Sequence, residues 1–172
     1  MKINLYALRA IYLHEMDRFR RTLTQSVLSP VLTTSLYFIV FGSVIGGYVE
    51  KIDGISYGSY IVPGLLMLTL LTQSISNTSF GIFFPKFNGT IYEILAAPIS
   101  TLEVVLAFVG AGATKTLIVS IIIFITSLFF VDVQVKYPLL MIFLLILVAF
   151  TFALFGFLIG LISSDFEQMS II

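Results

Sequence analysis

Charged residues are missing from four long stretches of this chain. They lie between Arg21 and Glu50, between Asp53 and Lys86, between Lys136 and Asp165, and, but for Lys115, between Glu103 and Asp132. A helix needs about 20 mainly apolar residues to cross the hydrocarbon core of a bilayer. Each stretch is long enough, and the pattern predicts spans at residues 27–48, 59–84, 104–130 and 138–162. Backbone groups in lipid must be satisfied internally, which favours helices, and none of the stretches alternates as barrel strands do. The first span follows 26 charge-rich residues and lacks a short apolar core with a small-residue cleavage site. It is therefore a retained span and not a signal peptide. The expected fold is an all-α integral membrane protein, one domain over residues 1–172.

The first 26 residues carry a different period. Leu5, Leu8, Tyr12, Met16, Phe19 and Leu23 recur at steps of three or four, which places them on one face of a helix. Arg9, His14, Glu15, Asp17, Arg18, Arg20 and Arg21 take the remaining positions. Asp17 stands four residues before Arg21, an orientation that supports a helix. Such a helix suits the membrane interface, its bases near anionic headgroups. A soluble helix packed on a partner has the same pattern.

Composition sharpens the class. The 172 residues are 59% hydrophobic and only 10% charged, against about 25% charged in soluble domains. That excludes an ordinary soluble enzyme, a disordered segment and a basic nucleic-acid module. There is no cysteine, hence no disulfide, thiolate metal site or cysteine nucleophile. The nine bases and nine acids cancel, yet residues 1–26 hold five bases and two acids. With Lys86, six bases flank one side of the spans, against Lys51 and Lys136 on the other. The side richer in bases is the cytoplasmic one. The N-terminus and residues 163–172 are therefore expected in the cytoplasm, and the external loops, 49–58 and 131–137, are short.

The cytoplasmic connection between the second and third spans, residues 86–103, reads KFNGTIYEILAAPISTLE. Asn88 and Gly89 can open a helix, and Pro98 obliges it to stop near Ala97. A helix of two or three turns is not stable alone and needs a surface to pack on. It offers Ile91, Tyr92, Glu93, Ile94 and Leu95, either as a plain surface connector or as a contact for a partner.

Several stretches together resemble the type 2 ABC exporter permeases. They are HEMDRFRRTLTQSVLSPVLTTSLYFIVFG, YIVPGLLM, KFNGTIYEILAAPIS, GAGATKT and SLFFVDVQVK. The resemblance covers essentially the whole chain. It implies a transmembrane permease subunit of the bacterial inner membrane, with no nucleotide site or cofactor of its own. Energy would come from two copies of a separate ATPase chain, and a second permease copy would complete the path. Asn88, Gly89, Ile91, Tyr92, Glu93, Ile94, Leu95 and Pro98 would form the coupling helix that docks on the ATPase. Arg18, Phe19, Arg20 and Arg21 would belong to a helix at the same interface. The cargo implied is a small molecule, a lipid or a glycan, and no nucleic acid is involved. Members of the family have six spans and this chain has four, so two further spans are expected beyond residue 172.

The polar residues within the spans remain to be placed. Thr69, Thr72, Gln73, Ser76 and Ser79 recur at helical spacing in the second span, with Asn77 beside them. A polar stripe in a membrane faces the bundle or a hydrated conduit. Interhelical hydrogen bonding and a lining for the translocation path both fit Thr69, Gln73, Ser76 and Asn77. Lys115, alone at depth, should face protein or water. Snorkelling to the inner surface, a polar partner on the second span and a place on the path are all open to it. GAGATKT superficially resembles a phosphate-binding loop. It has Thr114 where that loop needs glycine and sits inside an apolar helix, so it is rejected as one. Gly42 with Gly46 and Gly156 with Gly160 are small-residue pairs that permit close helix approach, expected within the subunit. Asn77-Thr-Ser79 and Asn88-Gly-Thr90 match a glycosylation pattern but fall in a span and on the cytoplasmic side.

A four-span scaffold or secondary transporter without an ATPase is the alternative. An ion-coupled carrier should hold an acid or histidine within a span, and none of the four does.

Overall fold

The computed structural model describes residues 4–45, 54–131, 133 and 135–171. The fold is all-α. Helix α1 (Leu5–Arg21) is followed after Thr22 by α2 (Leu23–Tyr37), which continues as a π-helical stretch, Phe38–Ile45. Then come α3 (Tyr57–Phe87), the short α4 (Ile91–Ala96), α5 (Thr101–Ser127), α6 (Pro138–Ile162) and the short α7 (Phe166–Ile171). Four of these helices are long and apolar enough to cross a membrane. Their bounds differ by a few residues from those read in the sequence. α3 begins earlier because Ser56 accepts from the Ser59 N–H and caps it, and α5 begins at Thr101 because Ser100 caps it. Gly46 and the start of the first external loop lie outside the described residues.

Helices α3, α5 and α6 pack around one core of Leu70, Ile82, Val104, Phe108, Ala153 and Phe157. A second core joins α1, α2, α3 and α5 through Phe19, Phe38, Val62, Leu66, Val119 and Ile123. Outward faces stay apolar, as in Leu139, Phe143, Phe155 and Leu158, which are more than half exposed. A water-soluble body would not display so much contiguous apolar surface. Lipid is the solvent these faces fit.

The α3–α6 seam is built from small residues. Ala149 and Ala153 are fully buried, and Gly156 and Gly160 continue the line toward the end of α6. A β-carbon on Gly160 would lie 2.6 Å from the Ser79 carbonyl oxygen, and one on Gly156 would overlap the backbone of Ile75. Ser74 Oγ donates 2.6 Å to the Ala149 carbonyl and closes the seam. The Gly156–Gly160 pair therefore packs within the subunit. In lipid, where no hydrophobic force brings helices together, such close backbone approach supplies the attraction.

Candidate functional site

The chemistry of this chain gathers at the end of the bundle where α3 passes through α4 into α5. Here the structure corrects the loop reading. Asn88 and Gly89 do not open the loop helix; they end α3. The Asn88 N–H bonds the Phe84 carbonyl and the Gly89 N–H bonds that of Lys86, with Gly89 at φ +79°. Glycine after a helix end takes this left-handed conformation without a β-carbon penalty. What remains for α4 is six residues, stopped at Ala97, which is extended as expected before a proline. Ile91 and Ile94 seat on the core below, while Tyr92, Glu93 and Leu95 point away. Tyr92 is 74% and Leu95 66% exposed, and Pro98 is exposed as well.

Charged ties flank this loop on both sides. Before it, Lys86 Nζ donates to the carbonyls of Leu161 (2.6 Å) and Ser163 (2.8 Å). These belong to the unpaired end of α6, where a cation is favoured by the helix dipole as well. Beside it, Phe166 of α7 packs edge-on against Phe83 and Phe87, with ring centroids 4.8 and 5.0 Å apart. After the loop, Ser100 and Glu103 form a reciprocal capping box on α5. Ser100-Thr-Leu-Glu103 carries the sequence signature of that box, which the reading above passed over. Glu103 does more than close its own helix. Its Oε2 accepts from the Ser100 N–H at 2.8 Å, and its Oε1 accepts from the Asn4 N–H at 2.6 Å, at the start of α1. One carboxylate thus serves the N-termini of two helices that begin side by side.

From that point α1 runs along α5. Tyr12 OH donates to Thr114 Oγ1 at 3.1 Å, and Glu15 Oε2 takes both Lys115 Nζ at 2.7 Å and Arg18 Nη2 at 2.8 Å. Glu15 and Lys115 are 2% and 3% exposed. The pocket is closed from a third side by Gly81 of α3, where a β-carbon would lie 3.4 Å from Glu15 Oε2. A lysine at the middle of a span costs about 2.5–3.5 kcal/mol on insertion scales. Losing one partner of a buried pair costs about 3–5 kcal/mol, because the other charge stays behind. Glu15 answers the question Lys115 raised: its partner is on α1, and neither solvent nor the second span holds it.

This changes the reading of α1. The helix does not lie alone on the headgroups; Leu8, Ile11, Tyr12, Glu15 and Phe19 form a stripe packed on the bundle, while Leu5 and Leu23 are exposed. Polar groups on the stripe find partners on α5 that neither lipid nor a headgroup layer would give them so dry. Arg18 is half-buried at Glu15, Phe19 is in the core, and Arg20 and Arg21 face outward. A signal was available in the sequence. Glu15 falls at helical spacing with Leu8, Ile11 and Phe19, a single acid in an apolar stripe, and Lys115 is a single base in a span.

The polar stripe of α3 divides. Asn77 Nδ2 donates to Gln73 Oε1 and to Thr116 Oγ1, both at 3.4 Å, so Asn77 turns toward α5 and Gln73 is tied to it one turn back on α3. Thr69 is half-buried and bonds its own helix at the Leu65 carbonyl. Ser76 is exposed and lines an open groove with Thr72, Phe80 and Phe166. The residues proposed for a path are therefore not one surface. Among the described residues no three acids or histidines come together as metal ligands.

The family profile of the ABC-2 type transporters matches residues 6–172. The chain belongs to the ABC-2 type transporter family. Its curated relatives include the "Inner membrane transport permease YadH" of Escherichia coli strain K12, with 37% identity over 166 residues. The YadH proteins of Escherichia coli O157:H7 and Shigella flexneri match equally. Each alignment covers 96% of this chain and 65% of the relative, so the ABC-2 chain described here spans somewhat under two thirds of the relatives' length. No solved structure matches it.

Proposed function

We propose that this ABC-2 chain is the transmembrane permease subunit of an ATP-driven exporter in a bacterial inner membrane, powered by a separate ATPase chain. The observation that carries the reading is α4. It is too short to stand alone, it is seated by Ile91 and Ile94, and it presents Tyr92 and Leu95 to whatever lies beyond. Large apolar side chains held outward on a seated helix suit a protein contact better than water. Their role is mechanical, and hydrolysis belongs to the partner. Two ATPase subunits and two permease copies would form the complex. Closure of the ATPase pair on ATP would push each α4 and shift the spans between inward and outward arrangements.

The basic residues support placing the N-terminus and α4 in the cytoplasm, six against two across the spans. Thr69, Gln73, Ser76 and Asn77, on two faces of α3, are the side chains proposed to meet cargo of the small-molecule, lipid or glycan class. Lys115 is proposed to serve that path from behind, through its hold on α1. The test is co-purification. The ATPase should come down with the wild-type permease and be lost with Leu95→Asp, a substitution at an exposed position that leaves the bundle intact. An assembled wild-type permease that brings down no ATPase would favour a scaffold or an ion-coupled carrier.

A further inference from the structure

We infer that Glu15 and Lys115 are a positioning pair that makes α1 and α5 a single moving body, so that any displacement delivered at the loop end reaches α1 and α5 together. This rests on the exporter reading above and adds to it which elements travel together. Three ties at nearly constant sequence offset carry the argument. Asn4 to Glu103, Tyr12 to Thr114 and Glu15 to Lys115 are separated by 99, 102 and 100 residues. Ties in register along several turns fix both the slide and the swivel of one helix on another, which a single contact cannot do. The innermost tie is also the one with least freedom to open. Glu15 and Lys115 are almost wholly buried, with Gly81 against the carboxylate, and parting them would leave the Lys115 ammonium buried without an acid. Arg18, the third charge at the pocket, is on α1 itself and follows Glu15 wherever it goes.

These 172 residues hold no cysteine. With the rest of the complex made cysteine-free and the doubly labelled permease diluted with unlabelled copies, the labelled pair lies within one subunit. Ala10 and Leu106 lie on exposed faces of α1 and α5. Spin labels at Ala10→Cys and Leu106→Cys, in the intact permease–ATPase complex, report the α1–α5 distance nucleotide-free and after trapping with ATP and vanadate. One narrow population, unmoved by trapping, is expected. In the same labelled protein carrying Glu15→Met and Lys115→Met, which strands neither of the paired charges, the population should broaden and shift on trapping. A distance that moves in the protein with the pair intact overturns the inference, and so does a double variant that behaves like it. A complex without ATP turnover overturns instead the exporter reading beneath it.

Discussion

Two of the seams in this bundle work by opposite means. Between α3 and α6 the residues are small and the contact is backbone on backbone: Gly156 and Gly160 leave no room for a methyl group. Between α1 and α5 the residues are large and polar, and Glu15, Lys115, Glu103 and Asn4 meet through directed bonds. The first seam is short-ranged and gains from every atom pair in contact. The second concentrates its strength in a few groups, each costly to leave alone. A seam of the first kind suits helices that stay fixed for good. One of the second kind suits a helix that must be held in register at its full length against a span. The lesson is that in lipid, where apolar contact is no cheaper than solvation, specificity comes from fit or from charge.

The comparison can be broken in graded steps. Glu15→Met should be the most damaging, since Lys115 then stays buried without its acid; a loss of about 3–5 kcal/mol is expected in equilibrium unfolding from lipid or detergent. Gly156→Ala drives a β-carbon into the Ile75 backbone. It should cost about 1–3 kcal/mol by the same measurement, as overpacked sites do. If Gly156→Ala proved harmless while Gly160→Ala did not, the seam would be open at its middle. Glu103→Ala leaves the Ser100 cap but removes the acid's bonds to the Ser100 and Asn4 N–H groups together, and should cost about 1–2 kcal/mol, as lost bonds to a charged acceptor do. It should also speed hydrogen exchange in the first turns of α1 and α5 but not in α6. Ser120→Ala should be the mildest. Its hydroxyl is buried without a partner, so stability should hold or rise by up to about 1 kcal/mol.

The four spans were legible because charge is excluded from lipid and the gaps are countable; α6 falls at the residues where the gap and Pro138 put it. Helix ends were less so. Asn88-Gly89 serves equally as a start or a stop, and only the length of α3 decided for a stop. The pairing of Glu15 with Lys115 crosses 100 residues, and periodicity cannot cross that distance. The sequence did show that each was anomalous on its own helix. Two anomalies of opposite sign in one small membrane domain are a pairing signal. In the same way Ser100 and Glu103 advertised a cap, but not that the carboxylate would also take the N–H of Asn4, the residue that caps α1.

The claim on which the account most depends is that Glu15 and Lys115 hold each other in the dry interior. A double-mutant cycle measures it directly, with Glu15→Met, Lys115→Met and both together unfolded under one set of conditions. The pairing predicts that Glu15→Met alone loses more stability than the double, because only there does Lys115 stay buried without its acid, whereas Lys115→Met leaves Glu15 its bond to Arg18. The coupling between the two positions should be about 2–3 kcal/mol. Losses that simply add would contradict it: the two residues would then be neighbours and not a pair.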